Sequence, residues 1–165
     1  MLEQPPARTL VLGVGNTLMC DEGVGVRVVE RLAENYRFPE EVLLLDGGTL
    51  GMDLLYYLEG VENLLIVDAV QADKAPGELV RLQDDEVPAF LGMKVSPHQI
   101  GVPDMLFAAK LKDMYPSHVV LWGVQPARLE IGLDLSETVA VQVDGLVGLI
   151  VEELRKWGYE GERLG

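Results

Sequence analysis

Three acids and one imidazole are the residues of this chain whose types and settings could do chemistry: Glu22, Asp46, Asp68 and His98. Each acid closely follows an apolar run of strand character, and His98 lies in KVSPHQIG, where Pro97 favours extended backbone and no helical or strand period surrounds the ring. Carboxylate oxygens serve many cations. An imidazole nitrogen beside them supplies the donor that favours a transition metal. The sequence therefore points to metal contact at a site assembled from distant parts of the chain. His118, directly before an apolar run, reads as structural or solvated instead.

The elements that would position these groups begin with residues 11–27, VLGVGNTLMCDEGVGVR. A buried strand over 9–13 runs into a glycine-rich turn, and a helix follows from about 22 to 36. Its apolar positions, Val24, Val28 and Leu32 with Val29, Ala33 and Tyr36, form one packed face. Asp21 is placed as the N-cap and Glu22 in the first turn, where free N–H groups and the helix dipole favour negative charge. Gly23 and Gly25 leave little bulk around the acids, which reads as room for a ligand. The turn is not a dinucleotide fingerprint, because Leu18 stands where a third glycine belongs and a carboxylate there would repel a pyrophosphate.

Two further strands repeat the layout. Residues 42–45 lead to Asp46, Gly47, Gly48 and Thr49, with Thr49 capping a short helix over 50–58, and residues 63–67 lead to Asp68. Strands alternating with helices predict an α/β fold: a three-layer sandwich whose twisted, mostly parallel sheet of about five strands carries helices on both faces. Ligands in such sheets bind beyond the carboxyl ends of the strands, so Glu22, Asp46 and Asp68 share one rim. Residues 77–82 read as an antiparallel edge strand, and Asp84, Asp85 and Glu86 as a solvated loop or helix start.

Pro103 predicts the first residue of a helix running to about 114, with Phe107, Leu111 and Met114 on its buried face. After a strand over 119–124 comes a long connection over 125–135. Ser136 then caps a final helix over 137–157, striped by Val139, Val143, Leu146, Ile150 and Leu154. Gly145 and Gly148 are expected to let it lie close to the sheet, and the tail after Gly158 to fray.

The chain of 165 residues fits one domain. No apolar run approaches the roughly 20 residues of a membrane span, and the N-terminus lacks a leader pattern, so a cytoplasmic protein is expected. A formal net charge of −14 argues against nucleic acid, whose binding needs clustered Lys and Arg, and leaves a neutral or basic partner or a cation. Cys20 is the single cysteine, so no internal disulfide forms, and it reads as a core-filling thiol. Neither the serine-hydrolase elbow nor the paired-histidine zinc helix is present.

Five stretches together resemble the hydrogenase maturation endopeptidases of the HybD-like type over nearly the whole chain. They are GVGNTLMCDEGVGVRVVE at 13–30, LDGGTLGMDLL at 45–55, IVDAV at 66–70, EVPAFLGMKVSPHQIGVPDML at 86–106 and WGVQP at 122–126. The resemblance implies a protease that removes the C-terminal extension of a nickel–iron hydrogenase large-subunit precursor after nickel insertion. It implies metal contact by Glu22, Asp68 and His98, which would also be catalytic, and marks Asp46 as characteristic without fixing its role. Nickel would then arrive with the precursor, zinc or a similar divalent ion could replace it in vitro, and no resident organic cofactor is expected. A monomer is the expected state. A non-catalytic nickel-sensing or carrier module, and a peptidyl-tRNA hydrolase-like enzyme, are the alternatives from other classes.

Overall fold

The computed structural model describes residues 7–48, 51–93 and 101–165. His98 and the cap assigned to Thr49 lie outside them. Five strands form the main sheet: β1 (Thr9–Val14), β3 (Val42–Gly48), β4 (Asn63–Ala69), β5 (Leu79–Gln83) and β6 (His118–Val124), in the order β3-β1-β4-β6-β5. All pairings are parallel except β5 with β6. The expected mostly parallel sheet with an antiparallel edge is thus observed, and β1 and β4, fully buried along their lengths, are its centre.

Residue alternation divides the core into two layers. On one face, Val11, Val42, Leu65, Val67 and Val120 meet helix α1 (Val24–Asn35) and helix α5 (Val143–Lys156). On the other, Leu10, Leu12, Leu64, Ile66 and Leu121 meet the 3₁₀ segment Gly51–Leu58 and the face formed by helices α2 (Glu86–Met93) and α3 (Val102–Leu111). The chain leaves β1 through α1 to reach β3 on one side, then crosses the opposite face to reach β4 on the other side of β1. The connections diverge between β1 and β4, a switch point at whose carboxyl ends sheets of this kind bind ligands. At the far edge, Glu153 of α5 is buried and grips Arg81 of β5 through two hydrogen bonds, Nε at 2.5 Å and Nη2 at 3.2 Å. This pairing satisfies a carboxylate that burial would otherwise disfavour.

Glycines fix how closely α1 approaches the sheet. A Cβ on Gly25 would lie 2.0 Å from the Val67 carbonyl oxygen and 2.6 Å from that of Val14, and one on Gly13 would lie 2.5 Å from the Gly25 oxygen. Gly15, at φ +126°, would place a Cβ 1.8 Å from the Glu22 oxygen. The close neighbour of these glycines is therefore the protein's own backbone, not a ligand.

Several local expectations are corrected. Residues 20–23 form a 3₁₀ turn, Cys20–Gly23, and α1 starts only at Val24 with Gly23 as its N-cap, so Asp21 caps nothing and Glu22 precedes the helix. The segment over 51–58 is 3₁₀, not α-helical. In α3 the buried residues are Met105, Leu106 and Ala109, while Phe107 and Leu111 face solvent and the helix ends before Met114. The final helix is two, α4 (Glu137–Ala140) and α5, and Gly145 and Gly148 stand in open space. The tail is pinned, because β7 (Glu162–Arg163) pairs antiparallel with β2 (Tyr36–Arg37).

These glycines should respond oppositely to a methyl group. Gly25→Ala is expected to cost about 3 kcal/mol or prevent folding, since two carbonyls would have to move, whereas Gly145→Ala should gain about 0.5–1 kcal/mol through helix propensity. Urea denaturation of the two variants checks both signs.

Candidate functional site

The switch point between β1 and β4 brings together two of the expected residues. Glu22, half-buried, sits on the 3₁₀ turn that follows β1, and Asp68, buried, is the penultimate residue of β4. Asp68 shares its face of β4 with Leu64 and Ile66. Its Oδ1 accepts the Ala69 N–H at 2.8 Å, and its other oxygen has no hydrogen-bond partner among the described residues. Burial pushes this carboxyl well above the usual range; the Ala69 N–H opposes the shift, and the negative charge of Glu22 adds to it. The two acids thus stand within electrostatic reach of each other. A pair of neighbouring carboxylates, one of them buried, is a donor set that a divalent cation would neutralise.

Asp46 is on the same rim but turned differently. It pairs in register with Gly13, whose Cβ direction meets α1, and it follows Val42 and Leu44 on that face. Asp68, one step beyond the Val67 that also pairs with Gly13, therefore projects to the opposite face. Asp46 is exposed.

Asp21 is the functional surprise beside Glu22. Fully buried, it accepts hydrogen bonds from the N–H groups of Ala127 (2.9 Å) and Arg128 (2.8 Å) at Oδ2 and of Ser136 (2.7 Å) at Oδ1, and from the Ser136 hydroxyl at 2.8 Å. Burial alone would raise its pKa, yet the bonds from Ser136, Arg128 and Ala127 outweigh it and hold the carboxyl below its ordinary value. The connection between β6 and α4 is thus clamped against the turn that carries Glu22. Ser136 occupies the N-cap position expected for it, but spends its hydroxyl on Asp21 rather than on α4. Gln125 secures the segment after Asp68 in the same way, accepting the Ala72 and Lys74 N–H groups and donating to Gln71. The sequence offered one signal for these partners: WGVQP lies at the end of a strand neighbouring β4. Cys20 is buried as a core thiol, at φ +48°, against Gly132. Among the described residues no group of three metal-binding side chains occurs, and no helix is long and apolar enough to cross a membrane.

A doubly covered sheet with acids at its switch point defines an α/β enzyme of the kind that binds ligand at the strand ends. Residues 26–153 match the family model described as hydrogenase maturation protease. The chain is 50% identical over 157 residues to the hydrogenase expression/formation protein HupD of Rhodobacter capsulatus, covering 94% of this chain and 75% of that one. It is 43% identical over 154 residues to the hydrogenase 2 maturation protease of Escherichia coli K12, covering 93% and 94%. The solved structure of the hydrogenase maturating endopeptidase HybD from E. coli superposes with a TM-score of 0.90 at 42% identity, covering 94% of this chain and 97% of the other. The chain belongs to the hydrogenase maturation protease family, and it is a peptidase. The non-catalytic carrier and the tRNA hydrolase-like enzyme fall with that result.

Asp21 and Asp68 should change stability in opposite directions. Asp21, its pKa lowered, stabilises the fold above the ordinary carboxylate range and loses that contribution as pH falls through its folded pKa. Asp21→Ala should therefore cost about 2–3 kcal/mol at neutral pH, with the deficit shrinking in acid. Asp68, its pKa raised, favours the fold only while protonated, and that contribution is lost as pH rises through the folded pKa. Asp68→Asn should melt above the parent at pH 7 and converge with it in acid. Thermal melts across pH test both signs.

Proposed function

We propose that this peptidase removes the C-terminal extension of a nickel–iron hydrogenase large-subunit precursor, and that Glu22, Asp68 and His98 contact the nickel carried by that precursor. The observation that carries the reading is the switch-point pair: Asp68 is held buried beside Glu22, against electrostatic preference, with one oxygen unpartnered among the described residues. Proteins keep such arrangements where a cation or a proton transfer repays them. The names of the relatives, which speak of hydrogenase maturation or formation, support the choice of substrate.

Two carboxylates and the imidazole expected from His98 make an incomplete set for a borderline divalent ion, leaving positions for ligands of the precursor. Zinc or a similar ion could occupy the same set in vitro. In this reading nickel is a feature of the substrate: the peptidase engages a loaded precursor because only there can its own side chains complete the shell. Contact then holds the scissile peptide at the rim. Attack follows by water activated at a carboxylate or on a carbonyl polarised by the metal. Asp46, exposed on the neighbouring strand and turned to the α1 face, would meet the arriving chain rather than the ion.

Glu22→Gln and His98→Ala are each expected to reduce cleavage at least about 100-fold, the scale of losing a group that acts in the transition state. Mass spectrometry of precursor assembled with and without nickel provides the readout. Normal shortening by either variant, or equal shortening of nickel-free precursor, would sink the proposal.

A further inference from the structure

The rim beside Glu22 displays apolar side chains that neither core layer uses. Ile131 is 86% exposed, Leu133 64%, Leu18 59% and Leu129 40%. They come from two segments joined by backbone bonds: the Cys20 N–H donates to the Gly132 carbonyl at 2.9 Å, the Gly132 N–H to that of Leu18 at 2.9 Å, and the Asp21 N–H to that of Arg128 at 3.0 Å. The parallel bridge between Met19 and Gly132 sets Leu18 alongside Ile131, the residues one position earlier on each segment. With the Asp21 clamp, this surface is held in place without a ligand. Apolar side chains gathered on a fixed frame mark an interaction site more often than scattered ones do.

We infer that Leu18, Leu129, Ile131 and Leu133 form the docking surface for an extended, apolar segment of the precursor chain adjoining the bond to be cut. The inference rests on the substrate reading above and adds the surface and the chemistry of what it holds. Continuity with the site is the first argument, since Leu18 lies four residues before Glu22, just ahead of the 3₁₀ turn that carries it. Charge is the second. In a protein of net charge −14, the cations here are engaged locally, Arg128 with Glu130 at 3.1 Å and Arg27 with Glu30 at 3.5 Å and the Leu133 carbonyl at 3.3 Å, so the patch does not call for a charged partner. Size is the third, because four such side chains expose a few hundred Å², short of the about 800 Å² per partner of a stable protein pair. A single extended segment fits better than a second copy of this chain.

The test measures cleavage of nickel-loaded precursor by the parent, by the double variant Ile131→Ser, Leu133→Ser, and by the conservative pair Ile131→Val, Leu133→Met. The serine variant should raise KM about tenfold with kcat within about twofold, at an unchanged melting temperature, and the conservative pair should restore the parental KM. Leu111→Ser, equally exposed at the end of α3 that leads back toward β6, should change neither constant. An unchanged KM in the serine variant overturns the docking surface while leaving the cleavage reaction intact. A parent that dimerises in solution and is made monomeric by the serine pair would also overturn it, in favour of a second copy. Failure of the parent to cut the loaded precursor would overturn the substrate reading, and this inference with it.

Discussion

The approach of α1 to the central strands is the constraint from which the rest of the site follows. Gly25 packs where any side chain would enter the space of the Val67 and Val14 carbonyl oxygens, and Gly13 permits the same contact from the sheet side. With the helix start drawn in, the preceding turn lies over the end of β4, and Glu22 comes near enough to Asp68 for its charge to be felt there. Glycine weakens a helix by roughly 1 kcal/mol relative to alanine. Here that cost secures a distance between two carboxylates that no longer side chain could allow.

Adjacent acids in the same turn have separate physical fates. Asp21 disappears beneath the connection from β6 and is saturated with hydrogen bonds from three residues, so its charge serves to fix backbone. Glu22 remains half-buried beside a buried neighbour that accepts one hydrogen bond from the described residues. The first acid makes the second useful, because a carboxylate can wait beside another only if its own backbone cannot relax away from it. Ionised Asp21 lends stability, whereas ionised Asp68 withholds it, an arrangement common where function sets the environment of a charge.

Much of this was legible in the order of residues. Short apolar runs ending in glycine and an acid gave β1, β3 and β4 and placed Glu22 and Asp68 at their ends, because a buried strand must be apolar along its length and an active rim must not be. The antiparallel edge strand was legible too, from its polar flanks. The α3 face was not: residues 105–109, Met-Leu-Phe-Ala-Ala, are apolar all round the helix, so periodicity gives no preference between Met105 and Phe107. Gly145 resembles Gly25 in sequence, since both interrupt helices, and only the neighbours distinguish a close contact from open space.

The sequence by itself determined the α/β alternation, the acidic residues at the strand ends and the family to which the chain is related, since burial patterns and local backbone preferences are properties of neighbouring residues. Only the tertiary structure decided that Asp21 is a clamp and not a cap, that Asp46 turns to the other face from Asp68, and that the glycines receive the protein's own carbonyls. Those outcomes depend on groups more than 100 residues away, such as Ala127 and Ser136 for Asp21, and on strand register. Neither leaves a local pattern, because a hydrogen bond across the fold constrains two positions without constraining what lies between them.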